Sequence, residues 1–212
     1  MIKCKSFALA ILLAVLSSPL IAQNFEGKII YSVTYKSKMP NVTDEQFGLM
    51  LGTKHEYFIK EGNYKTVTNG TFFLWQVFVN KDGKLYNKMA NSESLLYNDV
   101  TVAINKLIKS EKNENVVTIL GYPCNELIFS SENSQEKYFY NAALKLDNSY
   151  YTNHKLGNWD EFTKQANAVP LKFNITTLQF IMDATAIEIL PMKLDDKLFE
   201  LPAGSKAEKS PF

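Results

Sequence analysis

From Phe25 to Lys36 the chain alternates between apolar and polar positions. Ile29, Tyr31, Val33 and Tyr35 share one face, and Lys28, Ile30, Ser32, Thr34 and Lys36 the other. A period of two over this length predicts a half-buried strand. Met39-Pro40-Asn41 ends it. Thr43 followed by Gln46 is a capping-box pattern, which predicts a short helix through Phe47, Met50 and Leu51 that Gly52 stops. Strand patterns then come in quick succession: Lys54 to Lys60, Tyr64 to Thr68, Thr71 to Val79 and Lys84 to Lys88. Glu61-Gly62-Asn63, Asn69-Gly70 and Lys81-Asp82-Gly83 separate them, the second being a two-residue hairpin signal. Connections this short make an antiparallel meander.

The second half is less regular. Leu95 to Tyr97 fits a short strand. Asp99 fits a cap ahead of Val100, Ile104, Leu107 and Ile108, whose spacing predicts a helix, while Thr101 to Ile104 would equally extend as strand. Strands are expected at about 114–120, 124–130 and 135–140, with Gly121-Tyr122-Pro123 as a tight change of direction. Leu127 and Phe129 are the better candidates for the buried face there, opposite Cys124 and Glu126. Asn141 to Gly157 is polar, tyrosine-bearing and irregular; Asn158 fits the cap of a short helix from Trp159 to Ala166. A strand starting at Pro170 follows, then a long one from Thr177 to Leu190 with a bend near Asp183-Ala184, and a final turn from Leu194 to Phe199. With no repeat and no linker, the pattern predicts a mainly β, single-domain antiparallel fold of about ten strands and two or three short helices.

The most apolar of these strands is Thr71 to Val79. Phe73, Trp75, Val77 and Val79 alternate with Phe72, Leu74, Gln76 and Phe78. A strand apolar on both sides is either covered on both faces by core or lines a cavity on one of them. Phe72, Phe73, Trp75 and Phe78 are therefore the candidate cavity residues.

Two lysines, an apolar run from Phe7 to Leu16, the break Ser17-Ser18-Pro19 and Ala22 fit a secretory signal peptide over residues 1–22. Cleavage is expected near Ala22-Gln23, which makes the protein exported, periplasmic or secreted, with residues 23–212 as its domain and no stable transmembrane anchor. The 190 residues that remain after such a cut lose Lys3 and Lys5, so that 21 lysines face 22 acids. A balanced charge argues against nucleic acid as a partner. The chain has no arginine, so bidentate recognition of carboxylate or phosphate is absent. Cys124 is the one cysteine in the expected mature chain, and a lone thiol at a strand start reads as a small buried side chain.

Catalytic and metal-binding patterns are missing. His55 and His154 belong to no metal-ligand spacing, and no nucleophile-elbow, phosphate-loop or dinucleotide glycine pattern occurs. Asp160-Glu161 and Asp195-Asp196 sit at expected helix starts, where the helix dipole favours acids. A hydrolase built on Cys124 would need His154 to converge on it in space. No catalytic residue, metal or cofactor is expected.

Three segments together carry a family resemblance: Phe25-Glu26-Gly27-Lys28-Ile29-Ile30-Tyr31, Ile119-Leu120-Gly121-Tyr122-Pro123-Cys124, and Leu198-Phe199-Glu200-Leu201-Pro202-Ala203-Gly204. The chain resembles a domain-of-unknown-function family of secreted Gram-negative proteins, similar in turn to the periplasmic lipoprotein carriers LolA and LolB. That resemblance implies a strongly curved antiparallel sheet, a half-open barrel closed by helices around an apolar interior. The carriers use an arginine to handle lipoprotein, and this chain has none, so an apolar cavity is what the resemblance leaves. The expected function is a non-enzymatic periplasmic binding or carrier protein for an apolar or lipid-like ligand. The alternative is an envelope protein acting through protein contacts, with the tyrosines of Asn141 to Gly157 as its surface.

Overall fold

The computed structural model describes residues 24–211, so the expected signal peptide, residues 1–22, lies outside the described residues. Strand β1 (Gly27–Ser37) is followed by helix α1 (Asp44–Leu51) and strands β2 (Lys54–Lys60), β3 (Asn63–Thr68), β4 (Phe73–Val79), β5 (Lys84–Met89) and β6 (Leu95–Asp99). Then come β7 (Leu107–Ile119), β8 (Tyr122–Ser131), β9 (Gln135–Lys145), helix α2 (Trp159–Ala166), β10 (Ala168–Thr176), β11 (Phe180–Pro191) and the short β12 (Ala207–Lys209). All twelve strands join one open sheet in the order β12-β6-β5-β4-β3-β2-β1-β11-β10-β9-β8-β7. The fold is mainly β, with two more strands than the roughly ten expected. Every pairing is antiparallel except that of β12 with β6.

This order dictates curvature. The chain starts in the middle of the sheet, winds out to β6, and re-enters at the far edge as β7. In a flat sheet those strands would lie ten spacings apart, roughly 48 Å at about 4.8 Å each. Only residues 100–106 connect them, and eight residue steps reach at most about 28 Å. The sheet must therefore curl until its two edges approach. Val100 donates its N–H to the Gly83 carbonyl near one edge, and the Asn105 side chain reaches Ser134 near the other.

The concave face is closed at one end by the segment between β9 and β10. Tyr151 and Phe162 are fully buried, and His154 and Trp159 pack beside them. Phe78 of β4 meets His154 with ring centroids 4.7 Å apart, and Tyr138 of β9 meets Phe162 at 4.5 Å. The Lys155 N–H donates to the Val100 carbonyl, tying this plug to the crossing connection. On the convex side the C-terminal stretch covers β3 to β6, with Phe199 buried against Val77, Tyr86 and Leu95. Lys60 and Lys65 hold it by donating to the carbonyls of Leu194 and Leu198.

Several local expectations hold. The capping box at Thr43 is formed, with Gln46 N–H donating to the Thr43 hydroxyl and Thr43 N–H to the Gln46 side chain. β1 alternates as expected, and α2 has the expected bounds.

Others need correcting. The helix expected after Asp99 is absent: the Asp99 carboxylate accepts from Thr101 N–H and hydroxyl in a turn, and Ile104 and Ile108 are exposed, so no buried apolar stripe supports a helix. β7 starts at Leu107 instead, as a charged, exposed edge strand. Asn69-Gly70 does not make a two-residue hairpin. The Asn69 side chain accepts from Thr53 and Lys54 N–H, and Gly70 presses against the end of α1, where an added Cβ would lie 2.6 Å from the Met50 carbonyl. The turn before β8 is Leu120-Gly121, both at positive φ, so Tyr122 and Pro123 already belong to the strand. Leu127 and Phe129 are buried as expected, and so are Cys124 and Glu126 on the other side.

Because Phe162 anchors the plug, Phe162→Ala should destabilise the fold by about 3–5 kcal/mol, read from a urea transition at neutral pH. A shift of less than about 1 kcal/mol would mean that the plug is not part of the cooperative unit.

Candidate functional site

Between the plug and the inner face of the sheet lies a partly open cavity of about 410 Å³. Its wall comes from nearly every central strand. β1 contributes Tyr31 and Tyr35, β2 His55 and Tyr57, β3 Tyr64 and Thr66, β4 Phe73 and Gln76, β10 Phe173 and Ile175, and β11 Met182. Tyr138 closes one side, and His154, Leu156 and Trp159 of the plug form the floor. The half-buried Leu51, Phe73, Ile175 and Met182 lie toward the end where β1 finishes and α1 packs. Leu49 and Met50 of α1 and Leu178 between β10 and β11 are exposed apolar residues.

The four candidate residues separate. Phe73 lines the cavity. Phe78 is buried beneath it, with its ring 5.1 Å from Tyr64. Trp75 points to the convex side, packed with the C-terminal cover and under the Lys65 ammonium at 5.3 Å. Phe72 precedes the strand, its backbone bonded to Met50 and Ala90. Strict alternation would group Phe73 with Trp75. The register shift between them moves Phe73 to the cavity side with Gln76 and Phe78.

Sequence reasoning missed most of the wall. Tyr31 and Tyr35 were legible as one face of β1, but nothing local marks Tyr57, Tyr64 or His154 as neighbours. Of the tyrosines in the Asn141 to Gly157 segment, Tyr151 is fully buried, and Tyr150 is exposed with its ring over Gly62.

Among the described residues, no Lys, Asp or Glu lines the cavity. Its polar groups are neutral. Burial drives the hydroxyls of Tyr31, Tyr35, Tyr57, Tyr64 and Tyr138 above their ordinary range. Burial likewise lowers both histidines. His154 falls to about 4, against weaker opposing pulls from its own carbonyl, the Asp160 carboxylate and the Leu156 carbonyl. His55 shifts in the same direction despite its contact with the Leu51 carbonyl. Tyr31 donates to the Pro170 carbonyl and Tyr138 to that of Gly157. Tyr64 and His154 Nε2 share a hydrogen bond of 2.8 Å. The Tyr57 hydroxyl, His154 Nδ1 and the Trp159 indole nitrogen have no hydrogen-bond partner in the protein.

No group of three or more His, Cys, Asp or Glu capable of holding a metal occurs among the described residues. Cys124 is buried, its Sγ donates to the Tyr122 carbonyl, and burial raises its pKa. That environment disfavours a thiolate nucleophile. No described helix is long and apolar enough to cross a membrane.

No family model and no curated protein matches the chain. Among solved structures, PNGF-II resembles it with a TM-score of 0.48 and 12% identity, over 88% of this chain and 32% of that one. The chain thus spans about a third of that protein's length.

His154 makes the fold acid-sensitive. Its pKa is depressed on folding, so its contribution is intact above the unfolded value near 6.5 and is lost as pH falls toward 4. Stability should drop by about 2 kcal/mol between pH 7 and pH 5, above the range where carboxylates titrate. His154→Gln should reduce that slope in urea transitions at the two pH values, leaving the part that the buried His55 carries; an unchanged slope would show that His154 does not contribute to it.

Proposed function

We propose that the protein is a non-enzymatic binding or carrier protein for an apolar or lipid-like ligand, exported from the cell. The observation that carries this reading is the cavity of about 410 Å³, walled by aromatic and aliphatic side chains under a curved sheet. Ligand sites generally fall between about 300 and 1,000 Å³, with mostly apolar walls and a few placed polar groups. The exposed apolar residues Leu49, Met50 and Leu178 suit an apolar molecule passing between cavity and surroundings. The segment resemblance to secreted relatives of LolA and LolB, and the signal-peptide pattern of residues 1–22, support the same reading.

The test has two arms. Native mass spectrometry and organic extraction of the purified protein should release an apolar compound. The extracted protein should then bind an environment-sensitive apolar dye in a saturable way, and Ile175→Asp, which puts a charge on the wall, should weaken the dye by at least about tenfold. A protein that releases nothing and takes up no dye is not a carrier.

A further inference from the structure

The inner end of the cavity differs from its outer end. Phe73, Ile175, Met182 and Leu51 toward the outer end offer no side-chain hydrogen-bonding group, and the polar pair there is Tyr35 and His55, whose Nε2 lies 3.5 Å from the Tyr35 hydroxyl and 3.1 Å from the Leu51 carbonyl. Against the plug, Tyr57, Tyr64, His154 and Trp159 form one contiguous set, with the Tyr64 ring 5.6 Å from Tyr57, 5.9 Å from His154 and 6.1 Å from Trp159.

A count of hydrogens in this set shows what is left over. The Tyr57 hydroxyl and the Trp159 indole N–H have no acceptor in the protein. Tyr64 and His154 hold one phenolic and one imidazole hydrogen between them and make one hydrogen bond. If Tyr64 donates to Nε2, the hydrogen on Nδ1 makes no well-formed hydrogen bond, with only the carbonyls of His154 and Leu156 near it; if Nε2 donates to the phenol oxygen, the phenolic hydrogen is unspent. Either tautomer leaves a donor. Three residues lining the inner end of an apolar cavity therefore each hold or share an unspent donor, the atoms themselves lying buried behind the cavity surface, although buried polar groups are nearly always paired. His154 among them is 97% buried, from its relative exposure of 3%.

We infer that this set is the polar subsite of the ligand cavity, and that it takes a neutral hydrogen-bond acceptor, such as an ester or amide carbonyl, inserted ahead of an apolar tail. This rests on the carrier reading above. The unspent groups are donors, so the ligand end must accept. It must also be uncharged. Among the described residues no cation lines the cavity to compensate an anion, and desolvating a carboxylate or phosphate costs far more than desolvating a carbonyl that would meet the same donors. A cationic head would suit the aromatic faces, but it would bring no acceptor to the three donors. In the complex the side chains of Tyr57, His154 and Trp159 must rotate to bring these buried donors to the head.

The experiment uses three probes with the same saturated chain: methyl decanoate, decanoate and decyltrimethylammonium. Each displaces an apolar dye from the purified, extracted full-length protein at neutral pH. The methyl ester should bind at least about tenfold tighter than either charged probe. Tyr57→Phe should weaken the ester about fivefold or more while leaving the free protein's urea midpoint unchanged or raised, because it removes an unpaired buried hydroxyl. Loss of ester affinity without loss of stability is not what a purely structural tyrosine would give. If dye binds but decanoate or the ammonium probe matches the ester, the subsite assignment is overturned while the carrier reading stands. If Tyr57→Phe leaves ester affinity unchanged, Tyr57 is no part of the subsite and the assignment fails. If neither dye nor any probe binds, the carrier reading fails, and the subsite with it.

Discussion

The structure depends on one short connection. Residues 100–106 must carry the chain from one edge of a twelve-stranded sheet to the other, and they cannot span it flat. Curling brings the inner faces of β1 to β4 and β9 to β11 toward a common interior. Such an interior is too wide for side chains alone to fill. The plug from Asn148 to Ala166 fills one end, and its Lys155 N–H is bonded to the connection that set the curvature. What the plug leaves is the cavity.

The character of that cavity follows from where the charges are. Outward-facing positions pair their lysines with acids, as in Lys28 with Glu56 and Lys172 with Asp183. Exposed pairs of this kind contribute little to stability, but they keep both signs off the inner face. The inner face is tyrosine-rich, and tyrosine supplies ring area with a polar tip. Most of those tips find partners, Tyr31 on Pro170 and Tyr138 on Gly157 among them. The remaining donors gather against the plug. An apolar chamber with an uncharged, donor-bearing inner end is thus a consequence of curvature, plug and the placement of tyrosine.

What the sequence revealed was local. The alternation from Ile29 to Tyr35, the Thr43–Gln46 capping box and the turns at Glu61-Gly62 and Lys81-Asp82-Gly83 each rest on neighbours within a few residues, and each is realised. The failures arise where a distant element decides. Asn69 spends its side chain on the start of β2 and so does not form a hairpin turn. Asp99 closes a turn because, beyond the buried Val100, Ile104 and Ile108 have nothing to pack against. Phe73 and Trp75 part company at a register shift that no composition marks. The strand order is likewise set by pairing across the whole chain, so the route from Asp99 to Leu107 could not be read from its residues. His154 lay in a polar, irregular stretch, and only the folded plug places it beside Tyr64.

A high-resolution crystal structure of the protein purified without detergent or organic solvent should show elongated density between Tyr31, Phe173 and Met182, ending in an oxygen within hydrogen-bond distance of Tyr57 or Trp159. An interior in which Phe73, Phe173, Ile175 and Met182 have closed together and left no space would contradict the carrier reading.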